Sequence, residues 1–353
     1  MDWSLLGIAL VICALGVLEI YSATHGTKFG DAWWKQIMWI GLGLGVMWLA
    51  ASVDYHTVLG QVPILYTVAV TALLVTVTLG SRVFGSRRWI SFLGVNFQIS
   101  EFVKLVIILM VARYLSELKR DRIGIRDLLK LGGLAGIPVA LVMSQPDLGT
   151  ALTYVAIVGA GVLLAGVRWH HLAAIALAGG LLLLGTYPHL KPYQKNRLIS
   201  FVDPSRDPLG AGYQVIQSRI AIGHGGVWGT GASQGTQTQL RFLPVAHTDF
   251  IFSAFAEEHG FVGVVVVLGL YFLLVMQIVQ NAQTAPDRSG MYICMGVAAL
   301  LLFHILVNAG MSVGSMIVTG IPLPLMSSGG SNLLSVFLML GLVNNVRLRR
   351  FVS

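Results

Sequence analysis

The chain keeps returning to one pattern, a nearly uncharged apolar run long enough to cross a lipid bilayer as a helix. Such a crossing takes about 20 residues, because the hydrocarbon core is ~30 Å thick and each helical residue advances about 1.5 Å. Runs of this kind lie near residues 4–22, 34–53, 61–79, 127–144, 148–166, 170–187, 250–280, 290–310 and 331–347. A tenth, near 100–117, carries Glu101 and Lys104 in its first turn and is unbroken only from Leu105 to Ala112. An unshielded charge in lipid costs at least ~2.5 kcal/mol, so this span is expected to turn its polar end toward protein.

Composition points the same way. Hydrophobic residues are 56% of the 353 positions and charged ones 11%, where a soluble domain holds roughly 25% charged. The expected fold class is an all-α integral membrane protein of about ten transmembrane helices, one polytopic domain over residues 1–353. Cys13 and Cys294 sit inside apolar runs and read as small core residues, with no disulfide framework or zinc spacing around them. The first run follows Asp2, not a basic segment, and lacks a small-residue cleavage pattern, so it reads as a retained span.

The net charge of +8 marks topology. If both termini are cytoplasmic, the inner loops hold Lys119, Arg120, Arg122, Arg126, Arg168, Arg288, Arg347, Arg349 and Arg350. The short outer loops then hold Lys28, Arg82, Arg87 and Arg88, so the bias favours this orientation and leaves Arg87 and Arg88 needing another explanation. No basic stripe with interleaved aromatics is present, and nucleic-acid binding is not expected.

Two stretches interrupt the spans. Residues 188–248 form a long extracytoplasmic loop rich in Gly, Pro, Gln and Asp. Its anchors Tyr193, Phe201, Tyr213, Ile216, Trp228 and Leu243 predict a folded segment packed on the outer face. Gly310 to Ser331 carries no charge and is expected to re-enter the outer leaflet, shielded by protein. No internal repeat is evident, which weakens an inverted-repeat transporter reading.

Ionisable residues within spans or at their ends are functional candidates by default: Glu19, Glu101, Lys104, Asp147, Asp249, Glu257 and Glu258. Each has a plainer role to set beside a chemical one. Glu101 and Lys104, three apart, share a helical face and can neutralise each other; alternatively Lys104 faces a cavity and holds an anionic group. Asp147, in Gln145-Pro146-Asp147-Leu148-Gly149, can cap the following helix. Asp249 is the sharpest case. Thr248 can cap the next helix, leaving Asp249 in its first turn with more to do than capping. Glu257 and Glu258 lie two turns deeper, and at least one must face the bundle. His304, on an apolar face, reads as a satisfied core residue, and His170-His171 has no metal-ligand spacing. Asp203-Pro204-Ser205-Arg206-Asp207 lacks the closely spaced acidic pair with which many sugar-nucleotide transferases hold metal.

Read together, these loops resemble the SEDS family of bacterial cell-wall proteins (shape, elongation, division and sporulation) over nearly the whole chain. The resemblance is carried by Arg87-Arg88-Trp89-Ile90, Gln98-Ile99-Ser100-Glu101-Phe102-Val103-Lys104 and Gln145 to Thr150. It continues through Asp203 to Tyr213, Ala221 to Gly226, Gln234 to Gln237, His247-Thr248-Asp249-Phe250-Ile251-Phe252 and Gly320 to Pro324. Asp203 to Tyr213 and Gln234 to Leu240 are more similar to the elongation branch than to the division branch. Val245, Ile99 and Ser328 depart from the family's usual residues, and none of them is assigned to chemistry.

The resemblance implies a peptidoglycan glycosyltransferase that polymerises lipid II into β-1,4 glycan during cell elongation, inverting the donor anomeric carbon. It implies work in the bacterial cytoplasmic membrane beside a class B penicillin-binding protein, on lipid II and a polyprenyl-linked nascent glycan. Asp249 would take the acceptor hydroxyl proton. The leaving diphosphate needs positive charge, and Arg88, Lys104 and Arg197 are the candidates. Glu101 and Asp147 would orient these cations or help hold a divalent cation, and the sequence leaves a metal requirement open. The rival from another class is a flippase for the lipid-linked precursor. That function places key charges near the bilayer midplane, whereas these cluster at loop–helix junctions.

Overall fold

The structure, a computed structural model, describes residues 1–83, 86–92, 95–118, 123–186, 188, 192–207 and 210–350. Lys119, Arg120 and Arg122 of the topology argument lie outside these residues. Each of the ten apolar runs is a helix. In chain order the helices are α1 (Trp3–Thr24), α2 (Ala32–Ser52), the short α3 (Tyr55–Gly60), α4 (Val62–Leu79), α5 (Ile99–Ser116), α6 (Ile125–Ser144) and α7 (Leu148–Leu164). They continue with α8 (Trp169–Thr186), α9 (Pro192–Val202), α10 (Ala211–Gly225), α11 (Thr236–Gln239), α12 (Ile251–Gln283), α13 (Arg288–Ser312) and α14 (Gly330–Arg349). Six of them (α1, α4, α6, α12, α13 and α14) are long and apolar enough to cross a membrane by length and composition alone. The chain is a multi-pass membrane protein.

Several helices start at an aspartate that accepts a first-turn N–H: Asp2 from Leu5, Asp147 from Thr150 and Asp287 from Gly290. The apolar surface then sorts by depth. α13 and α14 are mostly buried, while α4 and α6 turn Ile64, Val68, Leu74, Leu129 and Ile137 outward, where lipid solvates them. α14 lies against α2 at small residues, since a Cβ on Gly341 would come 2.6 Å from the Met47 carbonyl oxygen. Close backbone approach of this kind drives helix association where no hydrophobic effect is available.

The start of α1 and the end of α14 sit at one end of the bundle. Asp2 accepts from Gln277 and Asn281 at 2.9 Å and pairs with Arg347, while Arg349 meets Asp54 at 3.2 Å. The loops between α1 and α2, α4 and α5, α6 and α7, α8 and α12, and α13 and α14 gather at the other end. Between α4 and α5 is an antiparallel ribbon of β1 (Ser81–Val83), β2 (Ser86–Phe92) and β3 (Val95–Phe97), with Ser81 opposite Trp89 and Ile90 opposite Phe97.

The long loop is folded, but not on all of its expected anchors: Leu243 is buried and Tyr213 and Ile216 are partly so, while Phe201 and Trp228 are exposed. α10 packs on α12 and is fastened by the Ser218 hydroxyl, which reaches Ser253 Oγ and the Ser312 carbonyl at 2.6 Å each. What the apolar pattern hid is a break inside α12 at Gly260 (φ +64). The loop repairs it. Phe261 and Val262 donate to the carbonyls of Gly226 (2.9 Å) and Val227 (3.1 Å), while Thr230 and Gly231 donate to those of Glu257 and Glu258 (3.0 Å each). A broken helix in a membrane is tolerated where protein supplies these partners. Glycine is required at the break, because any Cβ would overlap the Val227–Gly229 backbone.

The 313–329 strap likewise enters the bundle: Leu323, Leu325 and Met326 are wholly buried, and Tyr271 donates to the Pro324 carbonyl at 2.6 Å.

Candidate active site

Asp249 stands at the loop-rich end, just ahead of α12. The expected capping by Thr248 does not form. The helix begins at Ile251 after Phe250, without a side-chain cap, and the Thr248 hydroxyl donates to the Val245 carbonyl (3.3 Å). Asp249 therefore precedes the first turn, and its place is fixed through the backbone. The His247 carbonyl accepts from Ser328 N–H (3.0 Å), that of Thr248 from the Ser327 hydroxyl (2.7 Å), and that of Asp249 from the Asn308 amide (2.9 Å). Asn308 also donates to the Ile321 carbonyl at 2.8 Å, so α13 ties the strap to this segment.

The Asp249 carboxyl is part-buried, with Gly320 beside it; a Cβ there would sit 3.2 Å from Asp249 Oδ2. Loss of solvation pushes its pKa above the ordinary value of 3.8, while Arg197, the Thr248 hydroxyl and Arg88 pull it back, and Asp147 adds a small push upward. The structure thus brings Asp249, Arg88, Arg197 and Asp147 within electrostatic reach of one another. A carboxylate kept basic by burial, within the influence of two arginines, can take a proton beside a developing anion.

Arg88 reaches across from β2 to the α6–α7 junction. Its Nε donates to the Gln145 carbonyl (2.9 Å), its guanidinium also meets the Pro146 carbonyl, and Nη1 lies 3.8 Å from Asp147 Oδ2. Asp147 makes two sets of contacts. Oδ1 caps α7 through Thr150 N–H (3.1 Å), and Oδ2 accepts from Gln98 (3.1 Å) while facing Arg88. Arg197, on α9, lines clefts between the loop helices and the strap, together with Gln194, Leu198 and Ile317 on one side and Ser200 and Val318 on the other.

Lys104 and Glu101 lie deeper, and the structure does not bring Lys104 into the group acting on Asp249. The Lys104 ammonium sits 2.8 Å from both Glu101 oxygens and 3.4 Å from His304 Nε2. Glu101 also accepts from Asn332 at 2.9 Å, and His304 contacts the Thr153 hydroxyl at 3.2 Å. His304 is a buried core residue, as expected, and its Nε2 contacts join α5, α7 and α13 in one polar knot. Glu101 and Asp147 are each committed to other partners and do not converge on an ion.

Glu257 and Glu258 are both buried. Glu257 organises the loop, accepting from Gln237 N–H (2.8 Å), the Thr238 N–H (3.1 Å) and hydroxyl (2.8 Å), and meeting His224 at 3.2 Å. A cleft of about 230 Å³ opens beside His247, lined by Lys28, Lys35, Gln36, Trp39 and Ser328. Burial lowers the His247 pKa, which keeps its ring neutral. Lys35 and Gln36 are additions to the residues expected from the sequence, where a lysine in the first turn of a span is the usable signal.

Residues 2–350 match the family model FTSW_RODA_SPOVE, described as cell cycle protein. The chain is 37% identical over 360 positions to the peptidoglycan glycosyltransferase MrdB of Escherichia coli (strain K12), covering 99% of this chain and 94% of that one. It is 33% identical over 425 positions to the peptidoglycan glycosyltransferase RodA of Treponema pallidum (strain Nichols), covering 99% and 98%. A chain from a peptidoglycan synthase complex that coordinates polymerization and crosslinking superposes with a TM-score of 0.87 at 36% identity, over 100% of this chain and 99% of that one. The rod shape determining protein RodA of Thermus thermophilus superposes at 0.74 with 30% identity, covering 99% and 97%.

Proposed function

The chain belongs to the FtsW/RodA/SpoVE family, a multi-pass peptidoglycan glycosyltransferase by its relatives, and from that premise we propose that it polymerises lipid II with Asp249 as the base. The observation that carries the reading is the part-buried Asp249 carboxyl beside Gly320 of the strap, with its pKa raised by burial and lowered by the charges of Arg197 and Arg88. Asp249 takes the proton of the acceptor sugar hydroxyl. That oxygen forms a bond to the anomeric carbon of the donor from the face opposite the diphosphate, and the carbon–oxygen bond to the diphosphate breaks with inversion. The polyprenyl diphosphate leaves with its charge met by Arg88 and Arg197, which suit phosphate because a guanidinium donates from a planar fork. Asp147 holds Arg88 in place, and the Lys104–Glu101 pair supports α5 beneath the site.

The loop-rich end is assigned to the extracytoplasmic side of the bacterial cytoplasmic membrane, and both termini to the cytoplasm. Arg126, Arg168, Arg288, Arg347 and Arg349 all lie at the end that holds the termini, which supports this orientation. The partner is a class B penicillin-binding protein, in keeping with the synthase complex whose chain superposes on this one. Elongation is the cellular role.

The test is lipid II polymerisation by the purified protein with its partner synthase, the partner's cross-linking serine disabled, wild type beside Asp249→Asn. Glycan strands from wild type and none from D249N are expected. Strands from both would remove Asp249 as the base, and strands from neither, in a folded complex, would favour the flippase.

A further inference from the structure

Away from Asp249, α1 and α12 enclose three potential ligands with an uncompensated charge. Glu19 of α1 is 1% exposed, and neither of its carboxylate oxygens has a hydrogen-bond partner. Facing it are Glu258, 2% exposed and bonded by the Ser22 hydroxyl, and His259, whose buried Nδ1 also has no hydrogen-bond partner and lies 3.8 Å from Glu19 Oε2. One ligand atom from each residue lies within 4.8 Å of the other two. The neighbouring Glu257 shows what a satisfied buried carboxylate looks like in this fold, with three donors and a histidine on its oxygens. Glu19 has nothing comparable.

We infer that Glu19, Glu258 and His259 bind a divalent transition-metal ion that clamps α1 to the first segment of α12. Two carboxylates balance a 2+ charge, and a neutral imidazole completes a mixed oxygen and nitrogen set. That set suits Mn²⁺ or Zn²⁺ better than Mg²⁺ or Ca²⁺, which prefer oxygen throughout. The His259 ring is oriented by stacking on Phe255 (centroids 4.3 Å apart, 14° between planes), and its partly exposed edge offers the ion a way in. Glu258 lies seven residues into α12 from Ile251, roughly 10 Å along the helix axis, and Asp249 lies ahead of that helix, so the site is separate from the catalytic one. Its mechanical reach is wider. Ser22 joins Glu258 to α1 and accepts from Gln239, at 3.1 Å on its carbonyl and 3.3 Å on its hydroxyl, at the end of α11. An ion here therefore fixes the piece of α12 between Asp249 and the Gly260 break.

The test uses the full-length protein in detergent, washed with chelator and titrated with Mn²⁺ or Zn²⁺, reading stoichiometry by calorimetry and melting temperature against ion concentration. One ion per chain and a melting temperature that rises with ion are expected. Glu19→Gln and His259→Phe, which keep volume and ring stacking, are expected to weaken binding at least ~100-fold and abolish the shift. Asp249→Asn is expected to bind as wild type does, which separates this site from the proposed reaction. Without metal, E19Q is expected to melt above wild type, because the unneutralised carboxylate is gone. A wild type that takes up no ion, or E19Q and H259F variants that bind with unchanged affinity, would overturn the site.

Discussion

The Asn308 side-chain amide donates to two backbone carbonyls at once, that of Asp249 at 2.9 Å and that of Ile321 at 2.8 Å. One residue near the C-terminal end of an apolar helix thereby sets the distance between the base and the strap that packs over it. Asn308→Leu keeps the volume and leaves both carbonyls without this donor, a cost of about 1–3 kcal/mol for a buried group left unpaired. Polymerisation rate is expected to fall at least ~10-fold at temperatures well below melting, since a 1 Å misplacement can cost 100-fold. Substrate KM should change little. Unaltered turnover with a lowered melting temperature would mean that Asn308 serves the fold alone.

Gly320 meets two demands at once. Its φ of +72° is in the left-handed region, and a Cβ would stand 3.2 Å from Asp249 Oδ2. Gly320→Ala is expected to destabilise by about 1–2 kcal/mol through the backbone and to crowd the carboxylate as well. The activity loss should exceed that of a control Gly314→Ala, also at positive φ but against the Arg219 side chain. Equal losses would reduce the effect to strap strain.

How much of this was open to sequence reading depends on which force sets each feature. The ten apolar helices were legible because lipid demands an apolar run of fixed length, and they fall within a few residues of those runs. Asp249, Arg88 and Asp147 stand out in the sequence because charge at a span end or in a short outer loop needs a reason. Asn308, Asn332 and His304 were not, because a polar residue on an apolar helix does not announce its partner, and theirs come from elements up to 231 positions away. The Gly260 break was hidden for a related cause. Its hydrogen bonds are supplied by the loop at 226–231, so the apolar pattern runs through it unchanged. The β ribbon carrying Arg88 is too short to leave a period.

The charges around Asp249 predict a pH dependence. As a base it works ionised, so kcat/KM falls as pH drops through its pKa. Burial raises that pKa above the ordinary carboxylate value, which places the acid limb higher than a free aspartate (about 3.9) would. Arg197 is the strongest of the influences lowering it, so Arg197→Gln is expected to move the limb to higher pH, and Arg88→Gln to move it the same way by less. The stability sign is opposite to that of a salt-bridged carboxylate. A raised native pKa means that the ionised group opposes folding above its unfolded pKa and ceases to do so as pH falls. Asp249→Asn should therefore melt slightly above wild type at neutral pH and level with it in acid. An acid limb unmoved in R197Q would point to a different base.

Lys104 and Glu101 allow the supporting role to be separated from a direct one. The ammonium is 1% exposed and sits 2.8 Å from both oxygens of Glu101, which Asn332 also holds. Lys104→Met alone strands a buried carboxylate, and breaking such a pair costs about 3–5 kcal/mol. The double variant K104M/E101Q removes both charges and is expected to recover most of that stability, because a buried pair is worth little net against neutral groups of similar size. Melting temperature and lipid II polymerisation measured on the same samples then divide the two roles. If stability and activity return together in the double variant, the pair serves the packing of α5 against α13 and α14. If stability returns while polymerisation stays lost, Lys104 itself meets the substrate, and the diphosphate is held by three cations instead of two.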